Sequence, residues 1–525
     1  MGEAKRRSNV AVRDAIEALA VYTVGGRVQV RWNTNRAATP FGQLAFFIEF
    51  LNLTGLYRRW EEDCPLQYAG PHGSRTEDII GTWFLSVLAG HRRYAHIAAL
   101  RADAISPQLL GLSAVVSEDT VRRALIAVDE VAGRTWMQTH LDASVWPLLT
   151  APWILDVDVT IKPLYGKQEG AIVGYNPKKP GRPSHAYHTY QMAGLRLMLG
   201  VEVTAGNQSQ ANTSLPGLIE LIERLPIDKR PHLVRGDAGA GGEPTMAALE
   251  AQGQPYLFKQ RLTHNIKRHI ERAFARGDWS DAGQGWQDQD GQIQLSGSSG
   301  SSCSHARRRT RRIVVLRRPL IGETLLCENE DQLQLAFVEK ERPVKGYEYA
   351  VLVTDLSHEL HVIAQLYRDR GDAENTFDGP RPPREIKNQW GWTGFTTHDL
   401  KRCQLSAMAV ALVYNWWSVF VRLAHPKARL EAITARPLLL AGIGELTHHG
   451  GQTHLTITPM HAKAGFAKEL LTQVSRRLNE WKYIAEQLKT ASVWQRVCEF
   501  IATAVTGFKW LAPRKSPQLM HCATG

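Results

Sequence analysis

The residues of this chain best suited to chemistry lie in the stretch 153–185, WILDVDVTIKPLYGKQEGAIVGYNPKKPGRPSH. Its first part reads as a buried strand. Side chains alternate along a strand, so Asp156, Asp158 and Thr160 share one face while Leu155, Val157 and Val159 share the other. Two carboxylates in an apolar strand are costly unless something compensates them, and a divalent cation is the usual compensation. Downstream, Lys178, Lys179 and Arg182 stand in a Gly- and Pro-rich segment suited to a polyanion. A carboxylate-held metal beside a phosphate-binding surface is the chemistry of enzymes that cut nucleic acid.

Two more acids extend the set. Asp237 follows a predicted strand at 232–235, and open α/β sheets bind ligands in the crevice beyond their strand C-termini. The glycines after it (DAGAGG) permit a tight turn but lack the lysine of a nucleotide-binding loop. The segment 358–376, HELHVIAQLYRDRGDAENT, reads as a helix on which Tyr367, Arg370 and Glu374 fall on one stripe. On an isolated helix, Arg370 and Glu374 would be an ordinary surface pair. After two acid-bearing strands they complete a set in which Asp158, Asp237 and Glu374 could hold two metal ions about 3.5–4 Å apart. Arg370 and nearby lysines would then hold phosphate oxygens.

The elements that must position these residues follow from periodicity. Residues 1–40 read as a poorly ordered arm with a possible strand at Val28–Trp32, and 41–150 as a helical domain with apolar residues at three- and four-residue spacing. Within it, Ser117 is the expected N-cap of a short helix carrying Arg122 and Arg123, which could contact DNA as a recognition helix does. Residues 151–260 alternate strand and helix, which indicates an α/β layer. Residues 261–345 break that alternation as a β-rich insertion with a flexible basic segment. Its arginines (Arg307, Arg308, Arg309, Arg311, Arg312, Arg317, Arg318) would form a phosphate-contacting edge. Residues 346–425 return to the α/β body with the glutamate helix, and 426–525 read as helical, for dimerisation or DNA-end binding.

Composition narrows the class. The chain has 525 residues and a formal net charge of +12, which favours a polyanionic partner. Six scattered cysteines without CxxC pairing fit a reducing cytoplasm. No apolar run is expected to reach membrane-spanning length, and no signal core follows the basic N-terminus. The expected location is therefore intracellular. A carboxylate pair could also hydrolyse glycans, but that would leave the basic excess unexplained.

The order DVDVT, GYNPKKPGRPSH, RGD and Y-x-x-R-x-x-x-E resembles the DDE transposases of bacterial insertion sequences, in particular the branch with a Tyr-Arg-Glu-Lys signature. The resemblance runs from about Phe41 to Trp417. It implies an α/β, ribonuclease-H-like catalytic core interrupted by a β-rich insertion, with an N-terminal all-helical domain and a helical C-terminal region. It also implies two Mg²⁺ (or Mn²⁺) ions, and cleavage of double-stranded DNA at terminal inverted repeats followed by transfer into target DNA. A homodimer would hold the two ends. Asp158, Asp237 and Glu374 become the catalytic and metal-binding acids, with Tyr367, Arg370 and Lys387 auxiliary. Asp158 is preferred as the first ligand because it precedes Thr160 in the family's D-x-T pattern, leaving Asp156 as the alternative or an auxiliary acid.

One departure stands out. The family's lysine lies seven residues after the glutamate, where this chain has Arg381 inside FDGPRPPREIKNQW. Lys387 keeps the family context (EIKNQWGW) but lies farther on, beyond prolines that stop a helix. A catalytically impaired, DNA-binding relative is therefore the alternative reading. Trp390 and Trp392, next along, could stack on a displaced base, whereas Trp416 and Trp417 in LSAMAVALVYNWWSVFV read as packing.

Overall fold

The computed structural model describes residues 18–33, 36–67, 73–150, 152–176, 179–208, 210–295, 309–319, 347–370, 385–392, 394–395, 397–458, 461–488 and 492–506. Lys178, Arg307, Arg308 and Glu374 lie outside the described residues, as does the side chain of Lys387.

Where a weakly structured arm is expected, the chain forms a hairpin of β1 (Leu19–Thr23) and β2 (Gly26–Val30), followed by β3 (Ala37–Thr39). The strands alternate about a Gly25-Gly26 turn, and Gly26 takes a φ of +117° that disfavours any side chain. Six helices follow: α1 (Leu44–Thr54), α2 (Leu56–Glu62), α3 (Thr76–Leu88), α4 (Ser106–Leu109), α5 (Glu118–Ala127) and α6 (Glu130–Val145). Their apolar faces meet in an aromatic cluster where Trp60 stacks on Trp136 and Phe47 meets Trp417 edge-on. Ser117 caps α5 as its sequence position implies, its hydroxyl accepting from the Thr120 amide at 3.1 Å.

A ten-stranded mixed sheet forms the centre. It begins with β4 (Ile154–Pro163), β5 (Ile172–Val173), β6 (Pro183–Met192) and β7 (Leu197–Ala205), of which β4, β6 and β7 pair antiparallel in turn. Helix α7 (Gln210–Arg224) leads to β8 (Leu233–Gly236), and α8 (Glu243–Ala251) leads to β9 (Tyr256–Lys259). Both new strands run parallel to β4, giving the order β7-β6-β4-β8-β9. Pro183 opens β6, a position where its missing N–H costs little. Ser184 and His185 of the GRPSH stretch are therefore buried strand residues rather than part of a basic loop.

The segment expected to stand apart as an insertion prolongs this same sheet. After α9 (His264–Arg276), strands β10 (Ser280–Gly283), β11 (Trp286–Leu295), β12 (Arg309–Pro319) and β13 (Tyr347–Thr354) add antiparallel beyond β9. Helix α10 (Leu360–Arg368) packs back on these strands through Ile363, Ala364 and Leu366, which share a buried cluster with Val314 and Leu352.

Helix α11 (Leu400–Ala424) runs through the middle of the molecule. It is long and apolar enough to cross a membrane, which corrects the expectation that no such run exists, and 89% of its apolar window is buried inside the fold. Strand β7 has a β partner on one side only, and α11 meets its other edge. The Asn415 amide donates to the Met198 carbonyl and accepts from the Met198 N–H, each at 2.8 Å. Gln404 does the same one span along, donating to the Val201 carbonyl at 2.7 Å and accepting from the Val203 N–H. These side chains satisfy an edge that would otherwise stay unpaired.

The C-terminal part is not wholly helical. Between α12 (Ala432–Leu439) and α13 (Ala464–Leu488) lies a hairpin of β14 (Ile443–His449) and β15 (Gln452–Thr458), joined by Gly450-Gly451 with φ of +60° and +74°. Two positive φ values in a two-residue loop are what a tight hairpin demands. Strand β14 also pairs with β3, so the N-terminal arm and the C-terminal part share one three-stranded sheet. Helix α14 (Val493–Thr506) closes the described chain.

Candidate active site

The parallel pairing of β4 with β8 brings two acidic motifs side by side. In its register Asp156 faces Arg235 and Val157 faces Gly236, so Asp158 of DVD stands beside Asp237 of RGD one step on. Neighbouring strands lie about 4.8 Å apart, within the reach of one site. Asp237 comes just after β8 ends, and its carboxylate accepts from the Gly239 N–H at 2.9 Å, which shapes the turn that presents it.

The two acids of β4 have different environments. Asp156 is held bidentately by Arg235, at 2.7 Å from Nε and 2.8 Å from Nη2, and both side chains are almost fully buried. Arg235 also donates through Nη1 to the Leu366 carbonyl on α10. The charge of Asp156 is thus compensated by an arginine, which removes the physical reason for a metal there. Asp156 is corrected from candidate ligand to structural acid. Asp158 accepts from Arg370 Nη2 at 3.2 Å, and its side chain is 15% exposed. It is the acid of β4 that opens towards solvent.

Tyr367 and Arg370 come from the end of α10. The helix stops at Arg368, and the Arg370 N–H donates to the Tyr367 carbonyl at 3.0 Å in a closing turn. The expected continuation to residue 376, with Glu374, lies outside the described residues. Arg235 therefore fastens β4, β8 and α10 to one another, and these elements carry Asp158, Asp237 and Arg370.

Carboxylate oxygens on adjacent strands, partly open to solvent, are the hard donors that Mg²⁺ or Mn²⁺ takes. Asp158 and Asp237 fit that requirement as two of its ligands. Among the described residues no group of three His, Cys, Asp or Glu side chains gathers as a metal site.

The model of the family described as Transposase DDE domain group 1 matches residues 71–480. The chain belongs to that family. Its members are transposases that use divalent metal ions. None of the curated proteins matches this chain. Among solved structures it is similar to a piggyBac transposase in a synaptic complex with hairpin DNA. That likeness has 10% identity and a TM-score of 0.37, and covers 92% of this chain and 89% of the other.

Several expected DNA-contacting residues of this transposase-family chain are otherwise engaged. Arg311 is nearly buried on β12 and is gripped by Glu250 at 2.6 Å and Glu243 at 3.0 Å, two acids on one face of α8. Its neighbours follow suit. Arg309 pairs with Glu250 at 2.7 Å, and Arg312 pairs with Asp290 at 2.9 Å. Arg317 lies 3.9 Å over the Trp279 ring, and Arg318 bonds Glu348 at 2.6 Å. Arg311, buried in that grip, is corrected from phosphate contact to structural arginine, while Arg309 and Arg318 stay half-exposed within their pairs. Trp390 and Trp392 are also corrected: they are 0% and 3% exposed. Trp390 packs edge-on against Tyr414 under the Arg436 guanidinium, which leaves no ring face for a base.

The EIKNQ stretch forms a π-helical turn, Glu385–Gln389. Its buried Glu385, whose carboxyl is pushed above the usual range by burial, accepts from the Ala432 N–H at 3.0 Å and pairs with Arg429. Gln389 accepts from the Ile433 N–H at 2.7 Å. Together they satisfy the first amides of α12. Lys387 lies within this turn.

The exposed candidates remain. Arg122 and Arg123 lie on the solvent side of α5 beside Asp119, at 3.8 Å and 2.7 Å. Lys179 and Arg182 flank Tyr165, at 5.1 Å and 4.7 Å from the ring centre.

Proposed function

We propose that this chain is a transposase that cleaves double-stranded DNA at the terminal inverted repeats of an insertion sequence and joins the freed ends to target DNA. The observation that carries the reading is the register of β4 and β8, which sets Asp158 beside Asp237 with Arg370 on Asp158. The strand order β7-β6-β4-β8-β9, an antiparallel meander joined at its first strand to two parallel strands, supports a ribonuclease-H-like core. Asp158, Asp237 and Glu374 would hold two Mg²⁺ or Mn²⁺ ions, which when bound activate the attacking oxygen and stabilise the leaving one. Arg370 is buried behind the Asp158 carboxylate and orients it. In the first step water adds to a phosphodiester and the 3′-oxygen leaves as a hydroxyl. In the second, that hydroxyl attacks a target phosphodiester and displaces one target 3′-oxygen, so bonds made and broken balance. Two ends in one reaction favour a homodimer.

The test is cleavage of a labelled duplex carrying the element's own terminal repeat, with and without Mg²⁺. Cutting that needs metal and is lost in Asp237→Ala and Glu374→Ala, with duplex binding kept, is expected. A chain that binds the repeat but never cuts it would overturn the reading in favour of an impaired relative.

A further inference from the structure

A cleft of about 690 Å³ lies at the far end of β4, between the N-terminal helices and the central sheet. Arg92 and Arg93 enter it from the loop after α3, Arg122 from α5, Lys162 from β4 and Arg402 from the first turns of α11, with Tyr165 at its wall. None of the described lining residues is acidic. Behind the lining, Asp119 lies 3.8 Å from Arg122, Asp399 lies 3.2 Å from Arg402, and Glu169 accepts from the Leu400 N–H at 3.0 Å. The described lining itself carries five cations and no acid, and Lys179 and Arg182, packed on Tyr165, add positive charge at the rim.

The cleft is built to fit. Gly391 and Gly394 press the loop after the π-helical turn onto the backbone that carries Arg92. A Cβ on Gly391 would stand 2.3 Å from the His91 carbonyl oxygen, and one on Gly394 would stand 1.9 Å from that of Arg92. Only glycine permits that approach, so the loop fixes where Arg92 and Arg93 emerge.

We infer that this cleft binds the phosphate backbone of duplex DNA beside the site of cutting; the choice of DNA rests on the transposase reading. Asp158 and Lys162 share one face of β4 four residues apart, about 13 Å along the strand. That length is about four base-pair steps of duplex at ~3.4 Å each. With a duplex laid along β4, the cleft grips the backbone about four steps from a phosphate at Asp158. It makes the helical region and the sheet two jaws on one stretch of DNA.

The test uses the full chain without metal, so that binding is read apart from cutting. A fluorescent 40-bp duplex is titrated across a salt series, and the slope of log affinity against log salt is taken. Each phosphate contact contributes about 0.9 to that slope. The Arg92→Ala/Arg93→Ala variant should flatten the slope by roughly 2 and weaken binding roughly 10- to 50-fold at 0.1 M salt, and Lys162→Ala should flatten it by about 1. Arg58→Ala, on α2, should change neither. Gly394→Ala should weaken binding with every cation retained. If Gly394→Ala fails to fold, the surface variants decide alone. Unchanged slopes in folded Arg92→Ala/Arg93→Ala and Lys162→Ala would overturn the inference, as would slope losses seen only with single-stranded RNA of equal length. Slope losses in a chain that never cuts would uphold the cleft while removing the cleavage reading. Normal slopes in a chain that cuts would do the reverse.

Discussion

Asp156 with Arg235 and Asp158 with Arg370 are the same chemical pair set two residues apart on one face of β4. The first is closed on every side, with both partners 3% exposed or less and two short contacts. The second joins an equally buried arginine, 3% exposed, at 3.2 Å to a carboxylate that is 15% exposed. A charge pair sealed from water cannot exchange partners without a large cost, so it fixes positions. A carboxylate at the edge of solvent, held on one side by its arginine, can still take a cation on the other. The depth of a few ångströms along one strand thus separates a brace from a working group.

Mutation separates the two pairs. Arg235→Ala would strand the Asp156 charge and should cost about 3–5 kcal/mol, read as a fall in the urea midpoint. Replacing both partners by apolar residues should cost far less, and equal costs would mean that the pair is not the brace described. Asp158→Asn should cut the cleavage rate by about 10²–10³-fold while moving stability by less than about 1 kcal/mol. A stability loss as large as that of Arg235→Ala would make the two pairs equivalent.

Acid tests a different group on the neighbouring strand. His188, opposite Val159 on β6, is kept neutral by burial, which pulls its pKa down to about 4. A base depressed in the folded state stabilises the fold above its unfolded value near 6.5. That contribution is lost as pH falls from about 6.5 towards 4, by up to about 3 kcal/mol. The gap between urea midpoints at pH 7 and pH 4 should narrow in His188→Gln but not close, because burial also pulls His91 down to about 4. An unchanged gap in that variant would remove His188 from the acid response. The smallest effect is expected on β12: Arg311→Ala should lower stability yet leave the salt slope of duplex binding unchanged, because its charge is already spent on Glu243 and Glu250. A flatter slope would return the β12 arginines to the DNA surface.

Much of this site could be read from the chain. The face shared by Asp156 and Asp158, the strand before Asp237 and the helix before Arg370 all follow from local periodicity. The partner of Asp156 was also within reach, because R-G-D on one parallel strand beside D-V-D on the next puts Arg235 opposite Asp156 when Asp158 meets Asp237. Other features were out of reach of any local pattern. Arg311 meets acids more than sixty residues away in sequence, and the burial of Trp390 depends on Tyr414 and Arg436. The β14–β15 hairpin was missed for a different reason. Its Gly450-Gly451 signal was present between alternating residues but was outweighed by the helices on either side.

The amide clasp of Gln404 and Asn415 on β7 also sets a clock on the birth of the molecule. Strand β7 ends at Ala205, and its clasp is made about 200 residues later. At ~5–20 residues per second of synthesis, that edge waits on the order of 10–40 s for its cover. Through that interval the growing chain carries an unsheathed strand, and the apolar helix that ends the wait is itself the segment least able to remain in water alone.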